Sequence, residues 1–429
     1  MKITIIGGGA YGWTPELVRD IAVTPALQGA QICLMDINPI PLEMAEKLCN
    51  KIIAAAKARL TVSATLDQDQ ALSGADYVLV AINTGASATH GVDVDVPLKY
   101  GMRSSVGDTM GPSGISRTLR NAPVLQGIAR RVHAVCPRAW LINVTNPMGT
   151  LTRVMCMEHD RTVGYCHEVE WLRLRVAYRF GVPREQVQAT TVGVNHMTWV
   201  TQLRIAGNPD GLEMLRRRVA EHGPLNDQGK PTPVVQELYD LFGALPVSLD
   251  SHIAEFFGPY AIPEIAERYG LVQYSAALEE SRVRQPNKAK AEGMLSGTIP
   301  IDLKHSMEEI APMIAALGGN GIFSGIANLP NVGQVDNLPR GAVIETQALY
   351  DNDSVHPLTY GSLRPLLVST LVQHCLAQEL AVEAAIKGDR RLVIEAMLTQ
   401  PHVHDFAVVP EMVDDLLQAN REYLPQFFR

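Results

Sequence analysis

The chain has 429 residues, 46% of them hydrophobic and 19% charged, with a formal net charge of −8 and a pI near 5.9. That length suggests two lobes or one large α/β unit. The acidic balance argues against nucleic acid or an anionic membrane as partner, since both need a basic face, but it leaves room for a small anionic substrate met by one local Arg or Lys.

Lys2 to Ile6 reads as a buried strand. Gly7-Gly8-Gly9-Ala10-Tyr11-Gly12 follows, then Thr14-Pro15-Glu16-Leu17, a helix start with proline in its first turn. Gln31 to Met35 is a second apolar run, and it ends on Asp36. Strand, glycine turn, helix, strand and acid fall in the order of a dinucleotide fingerprint. The glycines let the backbone approach a pyrophosphate, the helix N-terminus faces the phosphates, and the acid binds a ribose hydroxyl. The candidate cofactor contacts are Gly7, Gly8, Gly9, Gly12 and Asp36, and an acid at Asp36 favours NAD over NADP.

Tyr77 to Ile82 and Ala139 to Asn143 are further apolar strands, ending in Asn83-Thr84-Gly85 and Val144-Thr145-Asn146-Pro147. Ligands of doubly wound sheets bind beyond the carboxyl ends of strands, so Asn83 and Thr84 are expected beside the cofactor. Between them, Ser105 to Gly114 is expected as a glycine-rich polar loop, either a mobile lid or a long connection.

A short strand, Thr162 to Tyr165, ends on Cys166, and the rhythm changes there. Residues 1–165 are expected as a nucleotide-binding domain, and 166–429 as a mixed α+β domain packed tightly on it. Glu170 to Phe180 reads as a helix, and Ala189 to Ile205 as strand material broken at Asn195-His196. A polar surface stretch, Asn208 to Thr232, is followed by Ser275 to Glu292, helical but interrupted at Pro286. Gly321 to Leu329 and Ala342 to Leu349 are strand candidates, and three helical segments close the chain.

Cys166 and His196 together suit a soft divalent metal, with substrate oxygens and water completing an open site. A buried thiol and a core histidine would look the same in sequence. Asp250, His252 and Glu255 form a third polar cluster that fits a base, a metal or sugar contact, or a capped helix start. None of the six cysteines forms a Cys-x-x-Cys, the N-terminus shows no signal peptide, and no apolar run is long enough to span a membrane. A reduced, cytoplasmic location is the expectation.

In order, Ile6-Gly7-Gly8-Gly9, Thr14-Pro15-Glu16-Leu17, Gly107-Asp108-Thr109-Met110-Gly111-Pro112, Asn146-Pro147, Cys166-His167-Glu168-Val169, Gly193-Val194-Asn195-His196 and Asp250-Ser251-His252 with Glu255-Phe256 resemble the family 4 glycoside hydrolases. That family shares ancestry with lactate and malate dehydrogenases. The resemblance implies a Rossmann-type doubly wound parallel sheet followed by a mixed α+β substrate domain. It also implies NAD and a divalent metal, typically manganese, outside the two-carboxylate scheme of most glycosidases. The implied route oxidises the sugar at C3, removes the C2 proton, eliminates at C1, adds water and returns the hydride to C3.

Carried over residue by residue, the resemblance makes Cys166 and His196 the metal ligands and Asn146 a sugar contact. Asp108 would assist acid chemistry, and Asp250 or His252 would supply the C2 base. His167 is a further catalytic candidate; Asn195 and Arg282 are further substrate candidates, with Arg284 and Lys288 beside the latter. The family's phospho-sugar branches place tyrosine in the 250–252 region and Asn or Asp after the cysteine, and this chain does neither. Cys-His-Glu-Val resembles the α-galacturonidase branch, so a terminal α-linked galacturonide is the expected substrate and a homodimer or homotetramer the expected assembly. α-Galactosidase, α-glucosidase and α-glucuronidase are the alternatives within the family. Outside it stand a lactate/malate-type 2-hydroxyacid dehydrogenase and a non-catalytic NAD sensor.

Overall fold

The computed structural model describes residues 1–227 and 229–429. Six strands form its nucleotide-binding half: β1 (Lys2–Ile6), β2 (Gln31–Met35), β3 (Thr61–Thr65), β4 (Tyr77–Val80), β5 (Trp140–Asn143) and β6 (Thr162–Gly164). They run parallel in the order β3-β2-β1-β4-β5-β6, that of a doubly wound dinucleotide-binding sheet. The strand sequences explain the layering. Ile3, Ile5, Ile32, Leu34, Tyr77 and Leu79 enter one buried cluster, while Ile6, Cys33, Met35, Val78 and Val80 enter the other. Helices cover both faces, which is why β1, β2, β4 and β5 read as apolar runs; β3, at the sheet edge, is the polar segment Thr61–Thr65.

The sheet does not stop where the sequence changes rhythm. Gly164 of β6 pairs antiparallel with Asn328 in the strand Ile322–Pro330, which pairs with Val343–Asp351. Glu345 of that strand pairs with Gly193 in β7 (Val187–Val194), which turns back into β8 (Met197–Ile205). One sheet of twelve strands therefore crosses the boundary expected near residue 165.

Three long elements lay outside the expectations. The glycine-rich stretch is a loop only as far as Met110; from Gly111 it becomes a 25-residue helix, Gly111–Val135, with Pro112 in its first turn. Ala86–Lys99 is also helical, as is Gly211–His222 within the stretch expected as polar surface. Ser275 to Glu292 is helical throughout, but a wide turn over Glu280–Arg284 precedes Pro286 and accommodates its missing N–H. No helix among the described residues is long and apolar enough to cross a membrane.

Candidate active site

The glycine turn, Asp36, Asn83 and Cys166 follow the carboxyl ends of parallel strands. After β1, the Gly7 and Gly8 amides both donate to the Met35 carbonyl at 2.9 Å. Gly7 has φ +89°, and a Cβ there would lie 2.1 Å from the Ala81 carbonyl oxygen, so only glycine fits. The Gly9 amide donates to Asp36 at 2.9 Å, which ties the turn to the acid at the end of β2. The following helix, Trp13–Val23, starts at Gly12 with no side-chain cap, leaving its N-terminal amides for a ligand. A close-packed glycine cradle, an uncapped helix end and a carboxylate beside the turn fit a dinucleotide. At the end of β4, the Thr84 amide donates to Asn121 at 2.9 Å and its carbonyl accepts from Arg120 at 2.9 Å. Arg120 is in turn locked to Asp93 at 2.6 Å, both fully buried.

The chemical centre is built from distant segments. Cys166 lies just past β6, and Glu168 opens the helix Glu168–Phe180. His196 stands in the two-residue turn between β7 and β8 with φ +66°, an uncommon conformation for a non-glycine residue and one associated with functional turns. His252 comes from the short helix Asp250–Ile253, and Asp108 from the loop before Gly111. Cys166, Glu168 and His196 offer donor atoms that lie within 4.8 Å of one another, as do Asp108, His196 and His252. His196 belongs to both groups. Thiol, imidazole and carboxylate donors at this spacing fit a divalent cation with open positions.

The surroundings tune these groups. Burial drives the Cys166 thiol well above its ordinary pKa, so a bound cation has to displace its proton. Burial also lowers His196, which keeps the imidazole neutral as a ligand must be. At Asp108, burial favours the protonated acid, but His252, His196 and Arg117 outweigh it and hold the carboxylate well below its usual range. At His252 the balance is the reverse: burial favours the neutral ring, yet the Asp108 and Glu168 carboxylates raise it. His252 Nδ1 lies 3.9 Å from Asp108, and its ring sits 4.3 Å from that of His196. Thr109 bridges Asp108 at 2.8 Å and His196 at 2.9 Å. Asn146 donates to Asp108 at 2.8 Å, and its own Oδ1 is buried without a partner among the described residues.

Other expected residues have different employment. Asp250 is not placed as a free base: its two oxygens accept the Val234 amide at 3.1 Å and the Val235 amide at 2.9 Å, capping the helix Pro233–Phe242 from outside. Burial pushes Asp250 up to about 6 in spite of those amides. His167 turns to Glu308 at 2.7 Å. Asn195 donates to the buried Glu345 at 3.0 Å. Arg282 is exposed in the turn Glu280–Arg284, and among the described residues no hydrogen bond joins it to the site. Glu168 and Thr109 were assigned no role from sequence, and Glu255 was expected only as one of three residues fitting a base or a metal or sugar contact. Glu168 accepts a short hydrogen bond from Ser248, and Glu255 accepts the Val106 and Gly107 amides at 2.8 and 2.9 Å, pinning the loop that carries Asp108. Glu168 was visible as the second residue after Cys166; Glu255 had no signal beyond its polarity in apolar sequence.

A doubly wound sheet with a glycine cradle at one strand end and a thiol–imidazole–carboxylate cluster at another defines a Rossmann-type enzyme with places for a dinucleotide and a metal. The chain belongs to the family 4 glycosyl hydrolases: residues 2–180 match the model of that family and residues 191–403 that of its C-terminal domain. It is similar to an alpha-galacturonidase of Bacillus subtilis, with 32% identity over 97% of each chain. It is also similar to an alpha-galacturonidase of Thermoanaerobacter italicus, with 29% identity over 99% of this chain and 97% of that one. Among solved structures, lplD of Bacillus subtilis superposes with a TM-score of 0.89 at 30% identity, covering 97% of this chain and 99% of that one. A malate dehydrogenase of Plasmodium falciparum shares the fold at a TM-score of 0.51 and 12% identity, covering 92% of this chain and 99% of that one.

Proposed function

We propose that this glycoside hydrolase removes terminal α-linked galacturonic acid from short oligomers by an oxidation–elimination–addition route. The reaction type rests on one observation: two donor clusters share His196 beside a glycine cradle shaped for a dinucleotide. The substrate choice is supported by the Cys166-His167-Glu168-Val169 motif and by relatives named alpha-galacturonidase in several bacteria. Family 4 relatives of the same fold were crystallised with NAD and manganese. When bound, these groups would supply a reversible hydride acceptor at sugar C3 and Lewis acidity at the 2- and 3-oxygens, so that the net change is hydrolysis.

The chain's own residues do the rest. Cys166 and His196 hold the cation, with Glu168 within reach of both. The buried Asn146 Oδ1 accepts a sugar hydroxyl. The His252–Asp108 pair moves protons: one proton leaves C2, and one reaches the departing C1 oxygen. His252, rather than the engaged Asp250, stands where both neighbouring carboxylates can restore its charge.

The test is an assay with NAD⁺, Mn²⁺ and a reductant against paired aryl α-galacturonide, α-glucuronide and α-galactoside. The galacturonide is expected to have the highest kcat/KM, with no net NADH. Turnover of another glycoside but not of the galacturonide overturns the substrate choice.

A further inference from the structure

One cation near the centre has no counter-ion in contact. Arg117 lies in the second turn of the helix Gly111–Val135, half-buried. Its Nε donates to the Asn146 carbonyl at 2.9 Å, and its Nη1 lies 2.8 Å from His90 Nδ1. The other nitrogen of that ring, Nε2, lies 3.1 Å from the Val106 carbonyl. A carbonyl only accepts, so Nε2 carries the hydrogen and Nδ1 the lone pair that receives the guanidinium. Both anchors of Arg117 are therefore neutral. Burial and the neighbouring guanidinium push His90 down to about 4, which keeps it neutral across the working range. Among the described residues no carboxylate forms an ion pair with Arg117, whereas Arg120, one turn further along the same helix, is buried against Asp93 at 2.6 Å.

Position adds to charge. The residue that fixes Arg117 through its carbonyl is Asn146, which donates to Asp108 at 2.8 Å and presents the unpartnered Oδ1. Arg117 thus borders the sugar position from the side of Asn146, and its charge is felt at Asp108. The two anchors use two of the guanidinium's five N–H donors. The remaining three lie on its Nη1/Nη2 end, the edge that meets a carboxylate in parallel bonds.

We propose that Arg117, held by His90 and Asn146, is the residue that receives the C6 carboxylate of the sugar and so selects a uronide over the neutral hexoside. A neutral hydroxymethyl group would leave the cation without an anion in a half-buried site, and discrimination follows from that asymmetry. This assignment rests on the α-galacturonidase reading, and the test separates the two.

The measurement is kcat/KM for 4-nitrophenyl α-galacturonide and α-galactoside, with NAD⁺ and Mn²⁺, for wild type, Arg117→Gln and Arg117→Lys. Any general damage from loosening Asn146 affects both substrates and cancels in their ratio. The galacturonide/galactoside ratio is expected to fall about 100-fold in Arg117→Gln and about 10-fold in Arg117→Lys. The lysine variant keeps the charge and most of the stem, so it carries the test if the glutamine variant does not fold. A ratio within about threefold of wild type in a folded variant overturns the assignment of Arg117 alone. So does a loss traced entirely to weaker NAD⁺ binding, which would make the pyrophosphate its partner. Wild-type enzyme that cleaves the galactoside but not the galacturonide overturns the α-galacturonidase reading and this assignment with it.

Discussion

At the scale of single residues, the site works by setting opposed charges close together in a dry place. Asp108 is kept ionised chiefly by His252 and the Arg117 guanidinium, although burial alone would protonate it. Cys166 is the opposite case: burial and the Glu168 and Glu345 carboxylates all hold its thiol protonated, so a bound metal would have to displace that proton. Cys166→Ser should therefore weaken Mn²⁺ binding by at least about 100-fold, because a serine hydroxyl neither ionises readily nor offers a soft donor. Calorimetric titration of Mn²⁺ into the variant checks this. Affinity within a few-fold of wild type would remove Cys166 from the ligand set.

The sequence told this residue story unevenly. Cys166 and His196 were legible because each sits where an apolar strand ends in polar residues. His90 and Arg117 were not, because each looks like an ordinary residue of a solvated helix. Only the packing of Ala86–Lys99 beside Gly111–Val135 brings them together. The hydrogen-bond partners of Asp250 were hidden for a similar reason. Its amide partners, Val234 and Val235, belong to a helix start that no local pattern linked to it.

At the scale of elements, the glycine loop is held from several sides. Glu255 pins Val106 and Gly107, Gln400 accepts the Gly111 amide at 3.0 Å, and the His402 ring packs within 3.1 Å of where a Gly111 Cβ would stand. Behind the Glu255 segment, the ring of His374 meets Phe256 edge-on at 5.0 Å. His374 and His402 are both buried, and each has an unpartnered Nδ1. Burial pushes both down to about 4, from an ordinary 6.5. Between those values the unfolded chain binds more protons than the folded one. Their contribution to stability is therefore complete above pH 6.5 and is lost as pH falls toward 4, by up to about 3 kcal/mol per histidine. Thermal melts from pH 7 to pH 4.5 should show Tm falling across this window, and His374→Leu should flatten the fall. A variant that melts with an unchanged pH slope would show that His374 does not contribute.

At the scale of the whole molecule, the twelve-stranded sheet explains how a nucleotide fold and a group of metal-type donor side chains come to lie at one site. β6 is both the last parallel strand and the first to receive an antiparallel neighbour, and Cys166 follows it at that junction. Five of the six strands of the nucleotide half were readable, because buried parallel strands are short apolar runs and the glycine turn has few other uses; β3, a polar Thr61–Thr65 segment at the sheet edge, was not. The continuation of the sheet was not, since the pairing of Gly164 with Asn328 joins residues far apart in sequence and leaves no periodic trace. The central claim is that bond cleavage proceeds through loss of the C2 proton after oxidation at C3. Its most direct test is hydrolysis of an aryl α-galacturonide in D₂O with NAD⁺ and Mn²⁺, followed by NMR of the released sugar. Deuterium at C2, with none at C3 and no turnover without NAD⁺, is the expected result. Released galacturonic acid that keeps its C2 proton throughout, formed equally well without NAD⁺, would contradict the account.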